Sequence, residues 1–337
     1  MACMTRNVCQ DQPMLKTLPP LEITVLRDLR ADPLSPAPLC LSAARGLVRV
    51  KGRLFIPADG LFQLGMVEEA PEAEVALALS LIPLFDGPPP AATTFRAKGK
   101  PRLHKPDLDT LATLPPLPGC PHGALLALAC GAHLPRETGL LIVLDAQGHV
   151  TERLAHIDLG PVYEPLRQRF DDLNIEGVFF ASGELRLLHR GNRGDARNAC
   201  ITFDMNHIGP WLTGQSPLPP PVKAVQKVAL GNLPGALAGF PLGLTDGAAL
   251  PGGAWAFSAV AVQPRHHAQA GECVGSVVGV VGPDGKVQQM HTLAGALNVT
   301  GIAAQVEGST VVLTLVTTAA DRQQPAQLLR VSLVHSN

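Results

Sequence analysis

Charge is scarce in this chain and leans to neither sign. Asp, Glu, Lys and Arg make up 16% of the 337 residues, and the formal net charge is -1. That balance offers no electrostatic footprint for nucleic acid or an anionic membrane surface. Aromatic residues are rarer still, at 4%. The seven cysteines, Cys3, Cys9, Cys40, Cys120, Cys130, Cys200 and Cys273, are odd in number and include no Cys-x-x-Cys pair. A disulfide framework or zinc knuckle is therefore not expected, and buried free thiols are. No apolar run approaches the length of a membrane helix. The opening MACMTRNVCQDQPMLK has no apolar leader core, so the expectation is a cytoplasmic protein. Gly-x-Ser-x-Gly, P-loop and dinucleotide-binding fingerprints are missing as well, and no Ser-His-Asp grouping stands out.

What the chain does have is punctuation. It carries 33 Gly and 32 Pro around a hydrophobic fraction of 46%. Short apolar runs bounded by Gly and Pro point to an all-β fold with ample material for a core. The clearest unit is Leu173–Phe203. Two apolar strands, Val178–Ala181 and Leu185–His189, flank a Ser182-Gly183 turn, and a third follows at Ala199–Asp204. The unit recurs as Ala44-Arg45-Gly46-Leu47, Leu108-Asp109-Thr110-Leu111, Leu244-Thr245-Asp246-Gly247-Ala248 and Val299-Thr300-Gly301-Ile302. Each copy is apolar, polar, small, apolar, with a turn and second strand following. The copies begin roughly 55 to 70 residues apart, within the range of propellers and solenoids.

The expected architecture is one five-bladed β-propeller over residues 20–337, with six blades or a two-domain sandwich as alternatives. Blades fall at about 43–84, 108–158, 174–230, 244–293 and 299–334. Residues 1–19 read as a flexible tail. Strand 21–29 lacks a nearby partner, so Glu22–Asp28 is expected to pair with Gln327–Val334 and close the ring. Phe85–Lys105 and Asn206–Pro221 read as Pro-rich loops, and Tyr163–Phe170 as the one helical turn.

If each copy is an innermost strand, its polar start faces the central channel. Those positions are Arg45, Asp109, Glu176, Asp246 and Thr300. Three clustered carboxylates call for a cation, a shared proton or the Arg45 guanidinium. Oxygen ligands alone would favour a hard divalent cation such as calcium, on Asp109, Glu176 and Asp246. Asp59, Arg190 and Asn192, at second-strand ends, face the same mouth. The expected roles are Glu176, Asp109 and Arg190 in catalysis, with Arg45, Asp59, Asn192, Asp246 and Thr300 binding a small polar ligand. Bland roles compete for each: Glu176 as an acceptor of backbone N–H groups, Arg190 as an interblade tie, Asp109 and Asp246 as turn caps. Asp195-Ala196-Arg197-Asn198 reads as a surface turn. The rival function is a scaffold presenting its Pro-rich loops to a protein partner.

Asn174-Ile175-Glu176-Gly177 followed by His189-Arg190-Gly191-Asn192 resembles a motif pair of the phytase-like, esterase-like β-propeller proteins. It resembles still more an uncharacterised bacterial propeller family related to them. Lys105–Asp109, Pro121–Leu128 and Gly239–Ala248 resemble further signatures of that second family. The resemblance spans most of residues 40–337. It implies a propeller and little about function; if the protein is an enzyme, hydrolysis of an ester, lactone or phosphoester fits best. His189 departs from the acidic or amide residue that often precedes Arg-Gly-Asn there, and the acidic cluster of calcium-rich phytases is missing.

Overall fold

The computed structural model describes residues 18–30, 40–58, 63–69, 79–84, 94–97, 100–103, 108–132, 136–191, 197–235, 239–263, 271–319, 321 and 323–334. Two N-terminal strands, β1 (Leu18–Leu21) and β2 (Thr24–Asp28), precede the first blade. Blade one is β3 (Val48–Val50), β4 (Arg53–Ala58), β5 (Gln63–Glu68) and β6 (Leu79–Pro83). A hairpin, β7 (Thr94–Ala97) and β8 (Lys100–Leu103), follows within the stretch expected to be a loop. Blade two is β9 (Thr110–Leu114), β10 (Ala124–Leu128), β11 (Thr138–Leu144) and β12 (Val150–Asp158). Helix α1 (Gly160–Arg167) leads to blade three: β13 (Ile175–Ala181), β14 (Glu184–His189), β15 (Asn198–Asp204), then helix α2 (Met205–Leu212) and β16 (Ala224–Val228). Blade four is β17 (Leu242–Ala249), β18 (Trp255–Gln263), β19 (Glu272–Val281) and β20 (Val287–Leu293). Blade five is β21 (Val299–Glu307), β22 (Thr310–Thr317) and β23 (Gln327–Val334).

Each blade is an antiparallel meander in chain order. The turns explain why. Ser182 and Gly183 both take positive φ, 52° and 79°, and Lys51 and Gly52 do the same at 47° and 75°. Such turns match the right-handed twist of a two-residue hairpin. The inner strands β3, β9, β13, β17 and β21 each lie against the next, and β21 returns to β3. The five sheets therefore form a ring, a five-bladed β-propeller. Blade five takes its outer strand from β2, which pairs antiparallel with β23 in the register Thr24↔Arg330 to Asp28↔Gln327. The closure matches the expectation. In addition, β1 adds to blade four as a parallel fifth strand on β20.

The core is divided by the ring. An apolar cluster fills each gap between successive blades, such as Phe55, Leu64, Leu111 and Leu125 between blades one and two. The other four gaps are filled in the same way. Both faces of a blade are thus covered, which is why β10 is apolar along its whole length and β15 is buried at every position but its last, rather than alternating.

Candidate functional site at the channel mouth

The inner strands all begin at one face of the ring, and their polar starts meet there. Glu176 sits in a β-bulge: Ile175 pairs with His189 and Gly177 with Leu188, so Glu176 has no partner of its own. A bulge re-aims one side chain, and here it turns the carboxylate toward the channel. Arg45 Nη1 from blade one lies 3.7 Å from Glu176 Oε2, and Arg190 Nη1 lies 3.7 Å from Oε1. The Asn174 side-chain amide donates to Glu176 Oε1 at 2.9 Å. Arg45 keeps 28% of its side chain exposed and Glu176 14%, so solvent reaches this pair. Ion pairs with that access contribute up to about 1 kcal/mol each. Stability alone gives little reason for two arginines to bracket one carboxylate.

Asp109 is buried beside them, 6% exposed. Its Oδ2 accepts the Cys130 N–H at 3.0 Å. Burial, then the charge of Glu176, push its pKa up to about 6, while Arg45 and Arg136 pull it back. Arg136 also donates to Cys130 Sγ at 3.2 Å. The Cys130 thiol is pushed up to about 12, chiefly by burial. Arg190 crosses toward blade four, where a Cβ on Gly243 would lie 2.7 Å from its Nε. The mouth therefore gathers Arg45, Asp109, Glu176 and Arg190 from blades one, two and three.

Two expected members lie elsewhere. Asp246 was aligned with Glu176, but the bulge in blade four falls one residue earlier. Leu244 pairs with Ala259 and Asp246 with Ser258, so Thr245 is the extra residue. Thr245 is the counterpart of Glu176, and its hydroxyl shares a hydrogen bond with Ser258. Asp246 takes the position that Gly177 and Gly301 hold, and it lies buried on the axis. The Gly247 and Ile302 N–H groups donate to it at 2.8 and 3.0 Å. The Leu47 and Val178 N–H groups face it as well, but burial outweighs all four and pushes its pKa well above the usual carboxylate value. Thr300 is the bulged residue of blade five. Its hydroxyl donates to the Ala44 carbonyl at 2.8 Å, so it ties blade five to blade one instead of facing a ligand.

The carboxylates do not form the expected metal set. Among the described residues, no three of His, Cys, Asp and Glu group closely enough to hold a metal ion. Asp246 is spent on backbone N–H groups, and Glu176 is bracketed by cations. Asp59 and Asn192 lie outside the described residues. His189 is fully buried, its Nδ1 accepts the Asn174 N–H at 3.2 Å, and its ring stacks near Phe170. It is a packing residue.

The sequence offers no role for Arg136 or Asn198, and it gives Asn174 only as part of the resembling motif. Asn198 was read as part of a surface turn, yet it is buried and joins two blades. Its amide donates to Leu242 O at 2.8 Å, and its Oδ1 accepts from Leu244 N at 2.9 Å. Its place directly before an apolar strand was the available signal. Beyond Asp246 the channel widens into a cavity of about 200 Å3, lined by inner-strand residues that include Val48, Arg49, Thr113, Phe180, Ala249 and Ala304. Among the described residues, no helix is long and apolar enough to cross a membrane.

Several solved structures share the fold at low identity. A tail fibre of Staphylococcus aureus phage P68 is 8% identical with a TM-score of 0.44, covering 93% of this chain and 53% of its own. The chain thus spans about half of that fibre's length. An α-L-arabinanase of Cellvibrio cellulosa, complexed with arabinohexaose, is 9% identical with a TM-score of 0.43, covering 86% and 90%. An α-L-arabinofuranosidase of Fusarium graminearum is 10% identical with a TM-score of 0.38, covering 91% and 96%. None of these likenesses carries an argument about activity. No curated protein matches the sequence. A family model does match, over residues 101–323, and the chain belongs to that family, a family of unknown function (DUF6910).

Proposed function

We propose that the channel mouth binds a small anionic or ester-bearing ligand and that, if the ligand is hydrolysed, Asp109 and Glu176 do the proton work. The observation that carries this reading is the bracketing of Glu176 by Arg45 and Arg190 beside a second carboxyl whose pKa stands near 6. A carboxyl raised to about 6 can hold and give up a proton near neutral pH, and here it stands beside a second carboxyl flanked by two guanidiniums. Arg45 and Arg190 would take the ligand's anionic oxygens, since a guanidinium matches carboxylate and phosphate geometry. Glu176 would accept a proton from water as that water's oxygen bonds to the acyl carbon or phosphorus. Asp109 would give its proton to the departing oxygen as the ester bond breaks. The scaffold reading called for a channel plugged by side chains and an apolar patch near Trp211; Trp211 is half-buried against the core between blades two and three, and Leu218, seven residues on, is exposed.

The test is a saturation assay with p-nitrophenyl acetate, p-nitrophenyl phosphate and a γ-lactone, alongside calorimetric binding of inorganic phosphate and acetate. Arg190→Ala and Glu176→Gln are expected to lower binding or turnover at least about tenfold with little change in Tm. Wild-type protein that neither binds nor turns over any of these probes would overturn the proposal.

A further inference from the structure

Each inner strand is the open edge of its blade, so the N–H groups that point into the channel have no ladder partner. A buried N–H without an acceptor is costly, and almost all such groups in folded proteins are paired. At the axis of this ring, the Gly247 and Ile302 N–H groups donate to Asp246 at 2.8 and 3.0 Å, and the Leu47 and Val178 N–H groups face the same side chain. The four belong to four different blades. Leu47, Val178 and Ile302 each follow the small axial residue of their strand, Gly46, Gly177 and Gly301, as Gly247 follows Asp246. Each oxygen accepts one of these bonds, Oδ1 from Gly247 and Oδ2 from Ile302, and keeps lone pairs for the other N–H groups that face it. Space is tight as well: a Cβ on Gly177 would lie 2.8 Å from Asp246 Cα, and a Cβ on Gly301 would lie 2.5 Å from the Gly46 carbonyl carbon.

We infer that the four inward N–H groups form a carboxylate-binding site on the propeller axis, and that Asp246 is its built-in occupant. The site is a backbone anion nest of the kind that holds phosphates elsewhere, here assembled from four strands rather than one turn. Its occupant joins four blades at a single point. It also divides the channel. The charged mouth at Arg45, Glu176 and Arg190 lies on one side, and the cavity lined by Arg49, Thr113 and Phe180 on the other. A ligand at the mouth therefore has no path through the ring. The proposal stands independently of what the mouth binds.

Glycine is the residue that two of the other blades place at this position with the same register shift, so Asp246→Gly empties the site with little steric change. The variant is expected to lose at least about 5 °C in Tm. Sodium formate at about 0.2 M should then restore several degrees, more than sodium chloride at the same ionic strength, and leave the wild-type Tm unchanged relative to chloride. A variant as stable as wild type, or a formate effect equal in both proteins, would overturn the proposal. Should the variant fail to fold, amide hydrogen exchange on wild-type protein decides. The Leu47, Val178 and Ile302 amides should exchange as slowly as core ladder amides. Exchange at the rate of open edge amides would refute the site.

Discussion

Asp109 is where a single side chain links the site to the stability of the fold. Its folded pKa of about 6 stands above the ordinary aspartate value of 3.8. A carboxyl raised in this way favours the native state while protonated in it. The favourable term is fully present below pH 4 and is lost as pH rises through 6. The shift corresponds to about 3 kcal/mol. Asp109→Asn keeps an oxygen for the Cys130 N–H and removes the titration. Urea denaturation of both proteins at pH 4 and pH 7.5 is the check. Wild type should lose about 2–3 kcal/mol between the two pH values relative to the variant. Parallel pH profiles would mean that Asp109 titrates as an ordinary carboxyl. The prominence of Asp109, Glu176 and Arg190 was readable because charge is so rare in these apolar strands. The partnership of Arg136 with Cys130 was not, since it depends on how β11 comes to lie beside β10.

Secondary elements were legible where the local chemistry is strong. The Ser182-Gly183 and Lys51-Gly52 turns reverse the chain as expected because glycine supplies the positive φ that the turn demands. Helix α2 was missed. Gly209 and Pro210 suggested a loop, yet Met205, Ile208, Gly209 and Leu212 share one buried face, and Asp204 caps the helix by accepting the Asn206 N–H at 2.9 Å. The bulges were also invisible. A bulge adds one residue to a strand without altering its composition, so the copies in blades three and four were aligned one residue out of step. The inner strands carry their own prediction. Gly177→Ala would place a methyl group against the backbone of Asp246. The cost should be at least about 2 kcal/mol, read as a fall in the urea midpoint. Gly52→Ala meets no atom within 4 Å but keeps a φ of 75°, so its cost should stay near 1 kcal/mol. Equal losses would show that the crowding at the axis yields easily.

At the scale of the whole molecule, the ring depends on an element far away in sequence. Strand β2 covers the outer edge of β23, and Leu29 packs with Leu41, Leu328 and Ala326 in the gap between blades five and one. Deleting residues 1–29 would uncover a long edge strand and empty part of that gap. The truncated protein is expected to unfold at a Tm at least about 5 °C lower and to self-associate in size-exclusion chromatography through the bared edge. A monomer of unchanged Tm would mean that closure rests on the inter-blade cores alone.

The sequence by itself determined the all-β class and the strand that closes the ring, and pointed to five blades with six left open. These follow from apolar runs, glycine turns and a repeated strand start, all of which act within a few residues. It also singled out the residues of the mouth. Tertiary structure decided which of them meet. Arg45, Asp109, Glu176 and Arg190 converge because three blades start at one face. Asp246 leaves their company because a one-residue bulge turns it onto the axis. There the N–H groups of four blades, unpaired along their own strands, need an acceptor that only the assembled ring can bring within reach.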